Sequence, residues 1–397
     1  MPHLDQVVNQ RRKKFIQSWI TAVLLLPQIL DFALPGSSAA RYCRVLLFVI
    51  ISASLILNRG LFLNGKLSGF SVILGAFMLY AIGSVSAVLQ GGNLTPNVGL
   101  LLLILLVLSL NFDLYKVVLN AIAYTSLTLA GISVVVIILK INPSRLYFSS
   151  DNYPVFFDSI GIQGRNFGVF SHPNTLGQCA VISLLLVLSL RLKYYFLFLP
   201  IFCLVKCGSR TAILSVAVGL MIYIILSFVK SNRAKIVTQA ETPIVLGVFF
   251  TGVFLASSYQ FLRYINFLDP DSLTGRVAIW QSSAEIFKDN PLFGLGWGWE
   301  SRAVTSQLLN VWATSSHNAI FEILFSCGIL GLVLFLAMLA KVFANFTNLL
   351  PAEKVMLAAI LTTGVSESYI DLVYPTIQSY IFFIIILGAK IDRRILL

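Results

Sequence analysis

Apolar residues in this chain run in blocks close to the thickness of a bilayer, separated by brief polar breaks. Windows near 16–34, 44–58, 67–89, 97–111, 116–139, 174–190, 194–206, 211–229, 243–262, 318–343, 354–373 and 375–390 read as about twelve membrane-spanning helices. Strands of an outer-membrane barrel are short and alternate in polarity, unlike Leu100–Leu110 or Ile381–Leu387. The expected fold class is therefore an all-α polytopic membrane protein, residues 1–397 forming one integral membrane domain. No internal repeat, heptad seam or low-complexity linker interrupts it. Two polar breaks are long, at 140–173 and at 263–317, the second between the ninth and tenth spans. Within it, Val277, Trp280, Ala284 and Phe287 fall at helical spacing. They predict a short amphipathic helix over 276–289, lying at the membrane surface, with Thr274 as N-cap and Pro291 closing it. Gly294, Gly296 and Gly298 follow as a close turn.

Composition supports the membrane reading: 58% of the 397 residues are hydrophobic and 11% charged, with a mean hydropathy of +0.89. The net charge of +12 fits lysine and arginine retained on the cytoplasmic side, and no basic, aromatic-interleaved patch suggests nucleic acid. With the N-terminus inside, 17 of the 28 Lys and Arg residues fall on inner segments and 11 on outer ones, although Arg41 and Arg44 run against the bias. The chain is expected in a bacterial cytoplasmic (inner) membrane, multi-pass, with both termini cytoplasmic and both long segments outside. Arg11, Arg12, Lys13 and Lys14 precede an apolar run resembling a signal peptide, and Ser38-Ala39-Ala40 mimics a cleavage site. The run is long and holds Pro27 and Asp31, so an uncleaved first span is expected. The five cysteines read as small packing residues. Cys203 and Cys207 share a helix face with no histidine nearby, so no metal site is expected.

In this topology the even-numbered spans begin on the outer side. Their N-termini present unsatisfied N–H groups and partial positive charge, which suit an anion. Three such starts carry polar signatures: His172-Pro173-Asn174, Gly208-Ser209-Arg210-Thr211 and Ser316-His317-Asn318. Arg276 opens the loop helix, where a cation opposes the helix dipole unless an anion binds beside it. Each residue also has an ordinary reading. Arg210 and Arg276 could anchor helix ends to lipid headgroups, His317 and His172 could cap helices, and Arg165 could be a loop charge. Against that, His317 brings a side chain that titrates near neutral pH to an anion-suited boundary. Glu322, Glu367 and Asp31 lie in or at the ends of spans, where ionisable groups are functional candidates or interhelical contacts. The glycine turn lacks the strand–turn–helix context of a nucleotide loop. Trp297, Trp299 and Trp312 suit sugar stacking and interfacial anchoring equally. Segment 263–317 carries Arg263, Arg276, Lys288 and Arg302 against Asp269, Asp271, Glu285, Asp289 and Glu300, a net charge of −1, so individual arginines must recognise any anion.

The combination of GSRT (208–211), GRVAIW (275–280), NPLFGLGWG (290–298) and SHNAIFEILFSCGILGLVLF (316–335), with RNFGVFSHPNTLG (165–177), resembles the O-antigen ligase and polymerase superfamily, especially exopolysaccharide polymerase-like members. The resemblance covers a region of about 165–345 and, by span count, the architecture. It implies a metal-independent, inverting glycosyltransferase without cofactors, which takes a glycan from undecaprenyl diphosphate on the outer face of the cytoplasmic membrane. On the matching positions, Arg210 and Arg276 would bind the diphosphate and His317 would be catalytic, acting on the acceptor hydroxyl. Arg165, His172, Asn174, Asn318 and Glu322 would support them. The polymerase branch adds the glycan to another lipid-linked repeat, with a chain-length regulator as a further partner; the ligase branch uses lipid A–core. The likeness of the His172 and His317 segments favours the polymerase. Bicarbonate-type transporters share the resemblance, but a secondary transporter should show internal symmetry and broken helices near the midplane. The polar groups here cluster at the outer boundary instead.

Overall fold

A computed structural model describes residues 70–89, 112–140, 166–231 apart from 171, 276–299, 316–365 apart from 345, 347 and 348, and positions 21, 367, 382 and 385. The regular elements among the described residues are helical: α1 (Phe70–Leu89), α2 (Phe112–Ile138), α3 (Pro173–Ser189), α4 (Phe198–Cys207), α5 (Arg210–Ser231), α6 (Arg276–Phe287), α7 (Ala319–Ala344) and α8 (Pro351–Gly364), with a 3-10 turn at Tyr194–Leu197 before α4. Among the described residues, two stretches, Leu119–Ile138 and Ala319–Ala344, are long and apolar enough to cross a membrane. The windows at 44–58, 97–111 and 243–262, and nearly all of those at 16–34 and 375–390, lie outside the described residues, as do Cys43, Thr274 and Trp312.

Most boundaries follow the apolar pattern to within a few residues, but the window at 354–373 does not. Its helix begins at Pro351 and ends at Gly364. Proline suits the first helical position because its missing N–H would have no partner there, and Glu353 accepts the Leu350 N–H to complete the cap. Lys354, read from the sequence as a cytoplasmic charge, is only 4% exposed. Its ammonium sits 5.2 Å from the centre of the Phe346 ring, a partner for a cation withdrawn from water.

The chain divides into two compact units, residues 1–66 with 105–213, and residues 67–104 with 214–397. In the first, α2, α3 and α4 pack on one another. Thiols serve as weak donors between them: Cys179 to Ser126 O and Cys203 to Ala130 O, both at 3.5 Å. Cys207 turns back to Leu204 O at 3.3 Å. These three and Cys327 are buried cysteines, the packing role expected. GSRT is a junction between helices. Gly208, in the left-handed conformation, ends α4. Ser209 O then accepts Ile213 N–H at 3.1 Å and Ser209 Oγ accepts Ala212 N–H at 3.4 Å, which starts α5 at Arg210.

In the second unit α7 packs along α1 and is broken at Gly328, where φ is 70° and ψ −171°. An unbroken helix would bond Ile329 N–H to Phe325 O and Leu330 N–H to Ser326 O. Instead, Phe325 O accepts Leu295 N–H at 2.6 Å and Ser326 O accepts Gly296 N–H at 2.9 Å. On the other side Ile329 N–H donates to Pro291 O at 2.9 Å and Leu330 N–H to Leu292 O at 3.3 Å. Four bonds to the NPLFGLGWG segment replace these two helical ones, so Phe325 O, Ser326 O, Ile329 N–H and Leu330 N–H all have partners in an apolar setting. A Cβ on Gly328 would collide with the Leu292 carbonyl. The segment itself turns through positive φ at Gly294, Gly296 and Gly298, the close turn expected. Beyond it, Trp297 N–H reaches Gly83 O at 3.1 Å, and the Trp297 indole lies where any side chain at Gly83 would be.

The loop helix exists, and Trp280 and Phe287 pack inward as expected, whereas Ala284 does not and the Val277 side chain lies outside the described residues. Ile279 and Ser283 are buried and Ala284 is exposed. Serine can face inward because its hydroxyl donates to Ile279 O one turn back, at 2.5 Å, and so needs no other partner. This face packs on α7 through Ile279, Leu295, Trp299 and Phe325, with Trp280, Ile286, Phe287 and Phe321 around them. Phe325 is the hub, its ring centre 5.5–5.7 Å from those of Trp299, Phe287 and Phe321. Such pairs contribute about 0.5–1.5 kcal/mol each beyond area burial, which matters where lipid weakens the hydrophobic drive between helices. Trp297 and Trp299 are each 2% exposed. They are therefore neither sugar platforms nor interfacial anchors; a turn this tight needs large rings beneath it to exclude voids.

Candidate functional site

The start of α7 is built from a short polar run that must satisfy its own backbone. Asn318 caps the helix: its Oδ1 accepts the N–H of Ile320 at 2.9 Å and of Phe321 at 3.1 Å. Its amide Nδ2 donates to Val365 O at 2.9 Å, tying the start of α7 to the turn that ends α8. Glu322, in the first turn, is 3% exposed. It accepts Ser316 N–H at 3.2 Å and Ser316 Oγ at 2.8 Å through Oε2, and Ser326 Oγ at 3.2 Å through Oε1. A carboxylate at a helix N-terminus also favours the dipole, so its burial is doubly compensated.

His317 lies between these anchors with φ 51°. The left-handed region is uncommon for a residue other than glycine and costs of order 1–3 kcal/mol, tolerated where neighbours hold it. Nδ1 stands 3.4 Å from Glu367 Oε2, the two side chains 23% and 8% exposed. In the tautomer with the proton on Nδ1, that N–H faces the carboxylate and the lone pair lies on Nε2. Trp280 of α6 donates its indole N–H to Ser316 O at 2.7 Å. Elsewhere in the same unit, the hydroxyls of Ser215 on α5 and Thr363 on α8 meet at 2.9 Å.

The structure thus brings His317, Asn318 and Glu322 together, with Ser316, Trp280 and Glu367 around them. Glu322 serves Ser316, whereas the carboxylate beside the imidazole is Glu367. Arg276 is the first residue of α6, four positions before Trp280. Arg210 is the first residue of α5 and belongs to the other unit in sequence. The side chains of both arginines, and all of Arg165, lie outside the described residues. His172 caps α3, its Nδ1 accepting Asn174 N–H at 3.1 Å, with Pro173 at the first helical position. This is the turn-and-cap arrangement weighed for His-Pro-Asn from the sequence. Sequence reasoning missed the roles of Trp280 and Ser316 and the partner of Glu367. The placement of a glutamate in an apolar window did mark Glu367 as a residue to watch. Among the described residues, no group of three His, Cys, Asp or Glu side chains is placed to hold a metal ion.

Chemically, the arrangement offers a half-buried imidazole with a carboxylate on its far side, a base able to take a proton from a hydroxyl. Residues 195–336 of the chain match the protein-family model for O-antigen ligase. No curated protein and no solved structure matches the chain.

Proposed function

We propose, for a chain that belongs to the O-antigen ligase superfamily, that it is a membrane glycosyltransferase moving a glycan from undecaprenyl diphosphate to an acceptor hydroxyl. The site faces the outside of the bacterial cytoplasmic membrane, within a bundle of about twelve spans. The observation that carries the reading is the His317–Glu367 pair, 3.4 Å apart, in which His317 stands at the start of α7 within the matched region and Glu367 lies beyond it. In the proposed step the acceptor hydroxyl gives its proton to Nε2 of His317, and its oxygen attacks the anomeric carbon from the face opposite the diphosphate. The carbon–oxygen bond to the diphosphate breaks, the lipid diphosphate leaves with the electron pair, and the configuration inverts. Glu367 stabilises the imidazolium formed, and a base so placed contributes roughly 10²–10⁴-fold. Arg210 and Arg276, each at the first position of a helix, bind the leaving diphosphate, whose negative charge grows as the bond breaks. Their forked guanidinium groups do this without a metal ion.

Polymerisation of lipid-linked repeats is favoured over transfer to lipid A–core on the likeness of the His172 and His317 segments. The decisive experiment uses the full chain purified in detergent, a lipid-diphosphate glycan, and either a second lipid-linked repeat or lipid A–core as acceptor. Product on the first acceptor identifies a polymerase, and product on the second a ligase. His317→Ala is expected to give no product with either while still binding donor. Wild-type product from that variant overturns the base assignment.

A further inference from the structure

We propose that Trp280 is a positioning residue: its indole N–H, by holding the Ser316 carbonyl, joins the helix that opens with Arg276 and the turn that carries His317 into one rigid piece. The proposal deepens the transferase reading above and rests on it. Trp280 follows Arg276 by four residues, so both lie on one face of α6, a single turn apart. The indole nitrogen can only donate, and it donates to Ser316 O at 2.7 Å. That carbonyl belongs to the peptide unit leading into His317, so fixing it fixes the plane from which the left-handed φ of 51° departs. Ser316 is gripped on its other side by Glu322, through both N–H and Oγ. Carbonyl, amide and hydroxyl of one residue are thus held from two elements, the over-determination that keeps a strained neighbour in place.

Packing alone does not require the N–H. The Trp280 ring lies against Phe321 with centroids 5.1 Å apart, a contact that any aromatic ring at 280 would make. The hydrogen bond adds a fixed distance between the start of α6 and the imidazole. A displacement in which one end holds the leaving group and the other takes the proton depends on that distance.

The test compares wild type with Trp280→Phe and with 3-benzothienylalanine at position 280, which keeps the indole shape and has sulfur in place of N–H. Two quantities are read on full-length protein in detergent: transfer kinetics, and the rate at which diethyl pyrocarbonate modifies His317 relative to His172, followed by mass spectrometry. Both variants should lower kcat about tenfold with donor KM within about twofold. His317 modification should rise severalfold while that of His172 stays constant. A benzothienyl variant matching wild type in both kcat and His317 modification overturns the proposal, and it remains decisive if Trp280→Phe fails to fold. A wild type that transfers no glycan, with His317 modification still raised in the variants, overturns the transferase reading and supports the coupling.

Discussion

Replacing Gly328 with alanine tests the account of the broken helix. The residue has φ 70° and ψ −171°, and a Cβ there would meet the Leu292 carbonyl. Two responses are open to the chain. It can keep the break and accept the backbone conformation, at roughly 1–3 kcal/mol, together with a displaced Leu292. Alternatively, it can straighten α7, regain two helical hydrogen bonds and forfeit the four made by Leu295, Gly296, Ile329 and Leu330, at about 1 kcal/mol per bond. Straightening also removes the segment that covers Phe325. Either route lands near 2–4 kcal/mol, which for a unit of this size lowers an apparent melting temperature by about 5–10 °C. The assay is a thermal ramp of detergent-solubilised protein at one scan rate, because unfolding of such a chain is irreversible. Gly131→Ala is the control. Its Cβ would meet Leu199 Cδ1 at an ordinary 3.7 Å inside α2, and it should be neutral or stabilising by up to about 1 kcal/mol. If Gly328→Ala melts with Gly131→Ala, the replacement of helical bonds by loop bonds does not hold α7 and the reasoning fails.

Arg210→Lys and Arg276→Lys should each cut transfer by about tenfold or more, because a point charge cannot supply the bidentate fork; normal rates from both with lipid-linked donor would remove them from the diphosphate site. Asn318→Asp should keep the cap on Ile320 and Phe321 but lose the Nδ2 bond to Val365 O, whereas Asn318→Ala loses both, a further cost of about 1 kcal/mol. Melting temperatures that fail to rank wild type, Asp and Ala in that order contradict the double role. Cysteines introduced at Asp271 and Gln307 should react with an impermeant maleimide in intact cells, and reaction only after the cytoplasm is opened would invert the proposed topology.

Among the described residues, helix positions were largely readable from the sequence because a long apolar block shows in composition alone. The SHN start of α7 was readable for a related reason, since a polar run before an apolar block has few structural uses besides capping. What stayed hidden depends on pairings between distant positions. Gly328 sits in CGILG, where glycine is common in membrane helices, and nothing nearby says that residues 291–296 will bond there. Trp280 fits an apolar stripe, so its donor role leaves no mark in the pattern. Ser283 carries no apolar signal in the pattern, yet it is buried with its hydroxyl satisfied within its own helix. The His317–Glu367 pair spans 50 positions, and only the fold makes those two residues neighbours.

A 26-residue helix such as α7, at 1.5 Å per residue, would be about 39 Å long, more than the roughly 30 Å hydrocarbon thickness of a bilayer. The break at Gly328 divides it into residues 319–327 and 329–344, rods of about 13 Å and 24 Å. Neither rod spans the hydrocarbon alone. The shorter, which carries the His317 turn at its N-terminal end, is fastened there to Val365 through Asn318 and at its other end to Leu295 and Gly296. The imidazole is therefore placed by the bonds this short rod makes to two other segments of the protein, and not by the length of an unbroken span.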